Sequence, residues 1–116
     1  MLEKIEAKLK EVMPLVFYGM ADEIGNAPLW NYIVFFRETT SRNNQNLSYT
    51  DHYSVGIVCE NWVKNEIISD VIEKLESLPG LRLASSDIGF DYARKPGTNA
   101  VVEVASIPFI HVRKKV

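Results

Sequence analysis

One long amphipathic segment, Asn61 to Gly80, constrains the fold more than any other part of this chain. Its large apolar residues recur at the spacing of one helix face, and polar residues fill the rest of the cylinder. A wide apolar face must pack against another layer, and strand patterns dominate the flanking sequence, so we expect that layer to be a β-sheet. Asn61 is the expected N-cap, and Pro79-Gly80 the expected end. The apolar residues are Val63, Ile67, Ile68, Val71, Ile72, Leu75 and Leu78.

The overall composition is that of one globular domain, residues 1–116. Hydrophobic residues make up 47% of the chain and charged residues 24%, a balance typical of folded proteins. The net charge of -2 argues against a dedicated nucleic-acid binder. The single cysteine, Cys59, excludes an intrachain disulfide. We find no secretory signal or membrane-length apolar run, and expect a soluble protein in the cytoplasm with no membrane partner.

The sequence before the long helix predicts one short helix and three strands. Apolar residues at helical spacing begin at Leu2, and Pro14 ends that helix. Leu15 to Tyr18 is a possible short strand. Leu29 to Arg37 alternates as a strand that is apolar on both faces, so it needs a second cover, from this chain or from another subunit. Asp51 to Glu60 is the next strand.

The segment Glu38 to Thr50 is rich in Thr, Ser, Asn, Gln and Arg. We expect a long polar loop between two paired strands, because unstructured loops of this length in compact domains are usually functional or disordered.

The sequence after the long helix predicts a final hairpin. Leu81 to Ala84 is a possible short strand, and alternation from Asp87 to Ala93 predicts a strand with one buried face. Residues 96–99 read as a turn, and Ala100 to Val112 as the last strand, where Pro108 favours an edge position or a bulge. The whole pattern predicts an α+β fold, a four- to five-stranded, mainly antiparallel sheet with two helices packed on one face.

The strongest candidate for catalysis is His52, which follows Asp51. Adjacent strand residues point to opposite faces, so Asp51 is not expected to orient the imidazole, and Cys59 is expected on the face opposite His52. His111, like His52, has no second ligand at metal spacing. We therefore expect no enzyme, no cofactor and no metal site, with both histidines on the surface or partly packed.

Other residues are candidates for an interface. Trp62 lies outside the apolar arc of the long helix, and aromatic residues are enriched at interface anchors. The basic residues of the last hairpin, which include Arg113, are expected in two small patches at opposite ends, either as solvated strand ends or as contacts for an acidic surface or nucleic acid. The candidate interface residues are Trp62, Arg42, Asn43, Asn44, Tyr49, Arg94, Lys95, Lys114 and Lys115.

Five segments give the chain a resemblance to the phage tail terminators of siphophages and of prophages in Gram-positive bacteria. None of them is a catalytic signature, and together they span nearly the whole chain. They are Leu29-Trp30-Asn31-Tyr32-Ile33-Val34-Phe35, Tyr49-Thr50-Asp51-His52-Tyr53-Ser54-Val55, Ile72-Glu73-Lys74-Leu75-Glu76-Ser77-Leu78-Pro79-Gly80-Leu81, Asp91-Tyr92-Ala93-Arg94-Lys95 and Arg113-Lys114-Lys115.

The resemblance implies a hexameric ring that caps the tail tube, stops its polymerisation and offers a surface to the head connector. It implies three kinds of contact, with copies of the same chain, the tail tube protein and the head-completion protein, and DNA only as passing cargo. The expected location is the head–tail junction of the virion, after assembly in the host cytoplasm. A head-closure protein is the alternative in the same class. A small hydrolase centred on His52 and a monomeric adaptor are alternatives from other classes.

Overall fold

The computed structural model describes residues 1–20, 31–42, 48–84, 87–95 and 97–114. These ranges contain two helices, α1 (Leu2–Lys10) and α2 (Asn65–Glu76), and one sheet of six strands. No helix within them is long and apolar enough to cross a membrane. The strands are β1 (Val16–Tyr18), β2 (Tyr32–Arg42), β3 (Ser48–Glu60), β4 (Leu81–Leu83), β5 (Gly89–Arg94) and β6 (Val101–Lys114).

The sheet has the strand order β1-β2-β3-β6-β4, and β5 also pairs with β6. Only β1 and β2 run parallel; the other pairs are antiparallel. The predicted α+β class is therefore confirmed. The expected count of four to five strands is too low, because β1 and β4, each three residues long, both pair with longer strands.

Both helices pack on one face of this sheet. The face is built from alternate residues of β2, β3 and β6, and it meets buried residues of α1 and α2 in a single apolar cluster. Burying a Leu, Ile or Phe side chain contributes about 1.5–3 kcal/mol, so this cluster is the main source of stability. Its most deeply buried members are Ile5, Leu9, Ile33, Phe35, Val55, Ile57, Val71, Leu75, Ala105, Ile107 and Phe109.

The long helix is shorter than its apolar pattern, and Asn61 is not its N-cap. α2 begins at Asn65 after an extended Lys64, while Asn61 has a φ of 73° in the left-handed region. Val63 is nevertheless buried, at 4% exposure. Apolar side chains in the flanking turns therefore extend the helical pattern beyond the helix itself.

The predicted loop from Glu38 to Thr50 is wrong over most of its length. β2 continues to Arg42 and β3 begins at Ser48, with Arg42 opposite Tyr49. Polar composition misled the prediction, because these strand residues are largely solvent-exposed and need no apolar alternation. The register shifts between Arg37 and Thr39, which makes Glu38 the extra residue of a β-bulge.

Two predictions about the last hairpin also need correction. Pro108 is at neither an edge nor a bulge, since it lies opposite Ser54 in a continuous ladder between β3 and β6. Its carbonyl accepts from the Ala84 amide at 2.9 Å. In an antiparallel strand the N–H and C=O of one residue point to the same side, so the N–H that proline lacks would also have pointed away from β3. On that side β6 changes partner from β5 to β4, and no hydrogen bond to β3 is lost. The expected buried face of β5 is wrong as well, because every β5 residue is exposed.

The sheet extends well past its apolar core at one end. The buried cluster reaches Tyr53 and Phe109, while β3 starts at Ser48 and β6 ends at Lys114. We call the three-stranded extension formed by residues 38–42, 48–52 and 110–114 the arm. It helps to give the molecule a long axis of 52 Å against 28 and 23 Å.

Candidate interaction surfaces

A buried carboxylate, Asp51, organises the arm. Its two oxygens accept hydrogen bonds from the Thr40 hydroxyl at 2.7 Å and from Arg113 Nε at 2.8 Å. The Asp51 side chain is 7% exposed and that of Arg113 50%. Burial by itself would raise the pKa of Asp51, but the hydrogen bonds from Arg113 and Thr40 outweigh it, and the pKa is lowered. Asp51 is therefore ionised, and its hydrogen bonds link the three strands of the arm.

Arg42, Tyr49 and Arg113 form a row across the arm, on the face of the sheet that carries the helices. Tyr49 pairs with Arg42 on β2 and with Arg113 on β6. The Arg113 guanidinium lies 4.8 Å from the centre of the Tyr49 ring, a cation–π distance. The bulge at Glu38 resets the alternation of β2, so that Thr40 faces Asp51 and Arg42 extends the row. We call this set the Arg–Tyr–Arg row.

A second buried carboxylate, Glu103, organises the opposite end of the sheet. It accepts the Val63 amide at 2.8 Å, and a hydrogen bond from the Tyr92 hydroxyl to Glu103 is the largest cause that raises the pKa of Tyr92. The backbone N–H of Asn61 donates to the backbone carbonyl of Val101 at 2.8 Å. These bonds fix the turn that carries Trp62, whose side chain is 66% exposed. Trp62 is thus presented on an ordered turn.

The candidate interface residues that the structure describes fall into two groups. Arg42, Tyr49 and the backbone of Lys114 lie at the arm, and Asn43, Asn44 and Lys115 lie outside the described residues. Trp62, Arg94 and Lys95 lie at the other end of β3 and β6, where Lys95 is 3.7 Å from Glu60. A strand of thirteen residues spans about 43 Å, so Arg94 and Lys95 lie far from Arg113, in agreement with the prediction for these three basic residues.

The face of the sheet turned away from the helices is also apolar over its central strands. Phe17 and Tyr32 make an edge-to-face contact there, with ring centres 5.7 Å apart, and Val34 and Phe36 continue the same face of β2. These side chains are half-buried. The predicted alternation of β2 is confirmed over residues 32–36; Leu29 and Trp30 lie outside the described residues.

The predicted separation of the nucleophile and acid–base candidates is confirmed. His52 lies opposite Thr39 and Ile110 on the face away from the helices, whereas Asp51 and Cys59 belong to the other face. Burial raises the pKa of the Cys59 thiol. Among the described residues, no group of three His, Cys, Asp or Glu side chains is placed to hold a metal ion.

The comparisons with known proteins do not assign this chain to a family. No family model matches the sequence, and no curated protein is similar to it. A solved structure of a protein without a descriptive name aligns with 100% of this chain and 98% of its own, at 13% identity and a TM-score of 0.42. Nothing about function follows from a likeness this weak.

Proposed function

We propose that this chain is a structural subunit of phage tail assembly, of the tail-terminator type. In this proposal, copies of the chain form a closed, hexameric ring on the end of the tail tube. The ring ends tube polymerisation and presents a surface to the head-completion protein. The resemblance of the five sequence segments supports the class.

The observation that carries the proposal is the placement of two organised surfaces at opposite ends of one sheet. At one end, the buried carboxylate of Asp51 holds Arg113 of the Arg–Tyr–Arg row. At the opposite end, the buried carboxylate of Glu103 holds the turn that carries Trp62. A subunit at a junction needs separate contacts for its neighbours, for the tube below and for the head above. Exposed aromatic and arginine side chains are the residue types most enriched at interface hot spots.

The apolar face away from the helices gives a second line of support. Tyr32, Val34 and Phe36 stay half-buried on a strand whose opposite face already fills the core. A partner that covered this face would bury the rest of these apolar side chains, and that burial favours association.

The experiment that tests the proposal combines mass measurement with tube capping. Size-exclusion chromatography with light scattering is run over a wide concentration range, and a parallel run contains purified tail tubes with open ends. We expect a mass near six subunits, or capped tube ends in negative-stain images. Tails whose tube ends are already joined to heads serve as the control and should bind none.

Two outcomes contradict the proposal. A strict monomer that ignores open tubes indicates an adaptor for a single partner. A ring that binds the head connector but not the tube indicates a head-closure protein.

A further inference from the structure

The exposed side of α2 carries a stripe of three carboxylates, Glu66, Asp70 and Glu73. At 100° per residue they fall within a sector of about 60° on the helix surface, and all three are exposed. The helix has one cation, Lys74, whose ammonium bonds Glu11 on α1 at 3.0 Å. That lysine is bonded to α1, and it also attracts the stripe residues Asp70 and Glu73 electrostatically, so Glu66 is the stripe carboxylate farthest from its charge. We call these residues the acidic stripe.

The arm has the opposite charge. Its strands contain the basic residues Arg42, Arg113 and Lys114, against the acidic residues Glu38 and Asp51. Asp51 is buried beneath Arg113, while Arg42 and Arg113 are exposed. The Arg–Tyr–Arg row therefore presents two exposed guanidinium groups although the whole chain is slightly acidic.

The two surfaces also match in spacing. Arg42 and Arg113 are separated by two interstrand distances, about 10 Å. Glu66 and Glu73 are separated by seven residues of helix, about 10.5 Å along the axis. The backbone spacing therefore lets the two guanidinium groups of the row reach carboxylates of one stripe, with the Arg113 guanidinium lying over the Tyr49 ring.

We propose that the arm of one copy docks on α2 of the next copy, with the Arg–Tyr–Arg row across the acidic stripe. The inference rests on the proposed ring and names its subunit contact. The buried Asp51 holds Arg113 through Nε, and a guanidinium has four further N–H groups. Asp51 thus acts as a positioning residue for this contact.

The contact joins two different surfaces, so it is head-to-tail. Such a contact repeats from copy to copy, and it produces a closed ring where the rotation between copies closes. A two-fold dimer would instead use the same surface twice. The formation of a chain of contacts, rather than a simple pair, is the property that the test exploits.

Nucleic acid is the competing occupant for an Arg–Tyr–Arg row. The net charge of -2 opposes a long polyanion, since nucleic-acid affinity comes mainly from neutralised phosphates. An acidic helix of fixed spacing suits the row better, and this chain supplies one. Binding of a labelled DNA duplex is therefore one outcome of the test.

The experiment uses two charge-reversal variants and a mixture of them. The arm variant is Arg42→Glu, and the stripe variant combines Glu66→Lys with Glu73→Lys. The matched controls are Arg82→Glu, at an exposed position on β4, and Glu3→Lys with Glu6→Lys on α1. Arg113 is left intact because Asp51 depends on it. Circular dichroism confirms that each variant is folded, and light scattering measures its assembly.

We expect each variant alone to need at least a tenfold higher concentration to assemble, while the controls assemble like wild type. The mixture should give mainly dimers, because each variant retains one intact half of the contact. The two altered halves gain one pair of opposite charges, but they also set Arg113 against a lysine, so the second contact is weaker than the first. A cysteine pair, Tyr49→Cys mixed with Asp70→Cys, should form an intermolecular disulfide, and the buried Cys59 should not.

The inference and the proposed function fail in distinguishable ways. If wild type forms rings that cap tubes and both variants do so equally well, the contact is wrong and the function stands. If the contact is found but the rings ignore tubes, the function is wrong and the contact stands. The contact is also overturned if wild type gives no cross-link, or if Arg42→Glu loses DNA binding without losing assembly.

Discussion

At the scale of single residues, Asp51 predicts how stability depends on pH. Its pKa is lowered in the folded protein, so its hydrogen bonds stabilise the fold above the pKa that it has in the unfolded chain. This contribution is lost as the pH falls through the lower folded value, from about pH 5 downward.

Replacing this carboxylate tests that prediction. We expect Asp51→Asn to lower the free energy of unfolding by about 1–2 kcal/mol at neutral pH, a modest figure because Arg113 is half exposed. The difference from wild type should shrink with acidification in urea titrations at several pH values. Asp91→Asn, at an exposed position on β5, is the matched control. A difference that stays constant with pH would mean that Asp51 is not ionised.

Gly80 gives a second prediction at this scale, with a control built into the chain. Gly80 and Gly19 both have a φ of +82°, but a Cβ at Gly80 would lie 3.1 Å from His111 Cδ2, whereas a Cβ at Gly19 would meet nothing within 4 Å. The left-handed backbone costs about 1–2 kcal/mol for a residue with a Cβ. In thermal unfolding, Gly80→Ala should therefore destabilise more than Gly19→Ala. Equal losses would show that the His111 ring moves aside freely.

At the scale of elements, Glu103 links β6 to the turn before α2. Glu103→Ala removes the acceptor of the Val63 amide, and we expect a loss of about 1–3 kcal/mol together with faster hydrogen exchange at that amide. Glu103→Gln keeps an acceptor oxygen and should retain most of the protection. If both variants exchange like wild type, Glu103 does not hold the turn that carries Trp62.

The helices and central strands were predictable because burial imposes a period. Alternation at Ile33 and Phe35, and helical spacing at Ile68, Val71 and Leu75, each reflect a face that fills the core. Sequence alone does not predict residues 38–42 and 48–50 of the arm as strand, since they lie beyond that core and are mostly polar. β5 was given a buried face wrongly because Phe90 and Tyr92 alternate like core residues yet lie exposed at the end of the sheet.

The candidate sites were harder to predict than the fold. The position of Trp62 outside the apolar arc predicts an exposed side chain, and the side chain is exposed; its role at an interface stays a prediction. The tie between Asp51 and Arg113 joins residues 62 positions apart, and it depends on the register of β3 against β6. That register follows from the whole ladder, and no local pattern specifies it.

At the scale of the whole molecule, the substitution Trp62→Ala tests assembly separately from stability. Its side chain is 66% exposed, so Trp62→Ala should change the free energy of unfolding by no more than about 0.5 kcal/mol. If Trp62 anchors a contact to a neighbour, the tube or the head protein, the same change should weaken assembly at least tenfold. Met20→Ala, at 81% exposure, is the matched control, and equal behaviour of the two variants would exclude Trp62 as an anchor.

The ladder between β3 and β6 has a mechanical consequence. Its thirteen residue pairs, from Ser48 with Lys114 to Glu60 with Val102, run in register along the long axis of the molecule. A load that pulls the arm away from the Trp62 end acts along these strands, so the continuous backbone of β3 carries it. Where the load enters through β6, the hydrogen bonds of the ladder share it in shear and do not open one at a time. The protein is therefore stiffest in the direction that joins its two candidate surfaces.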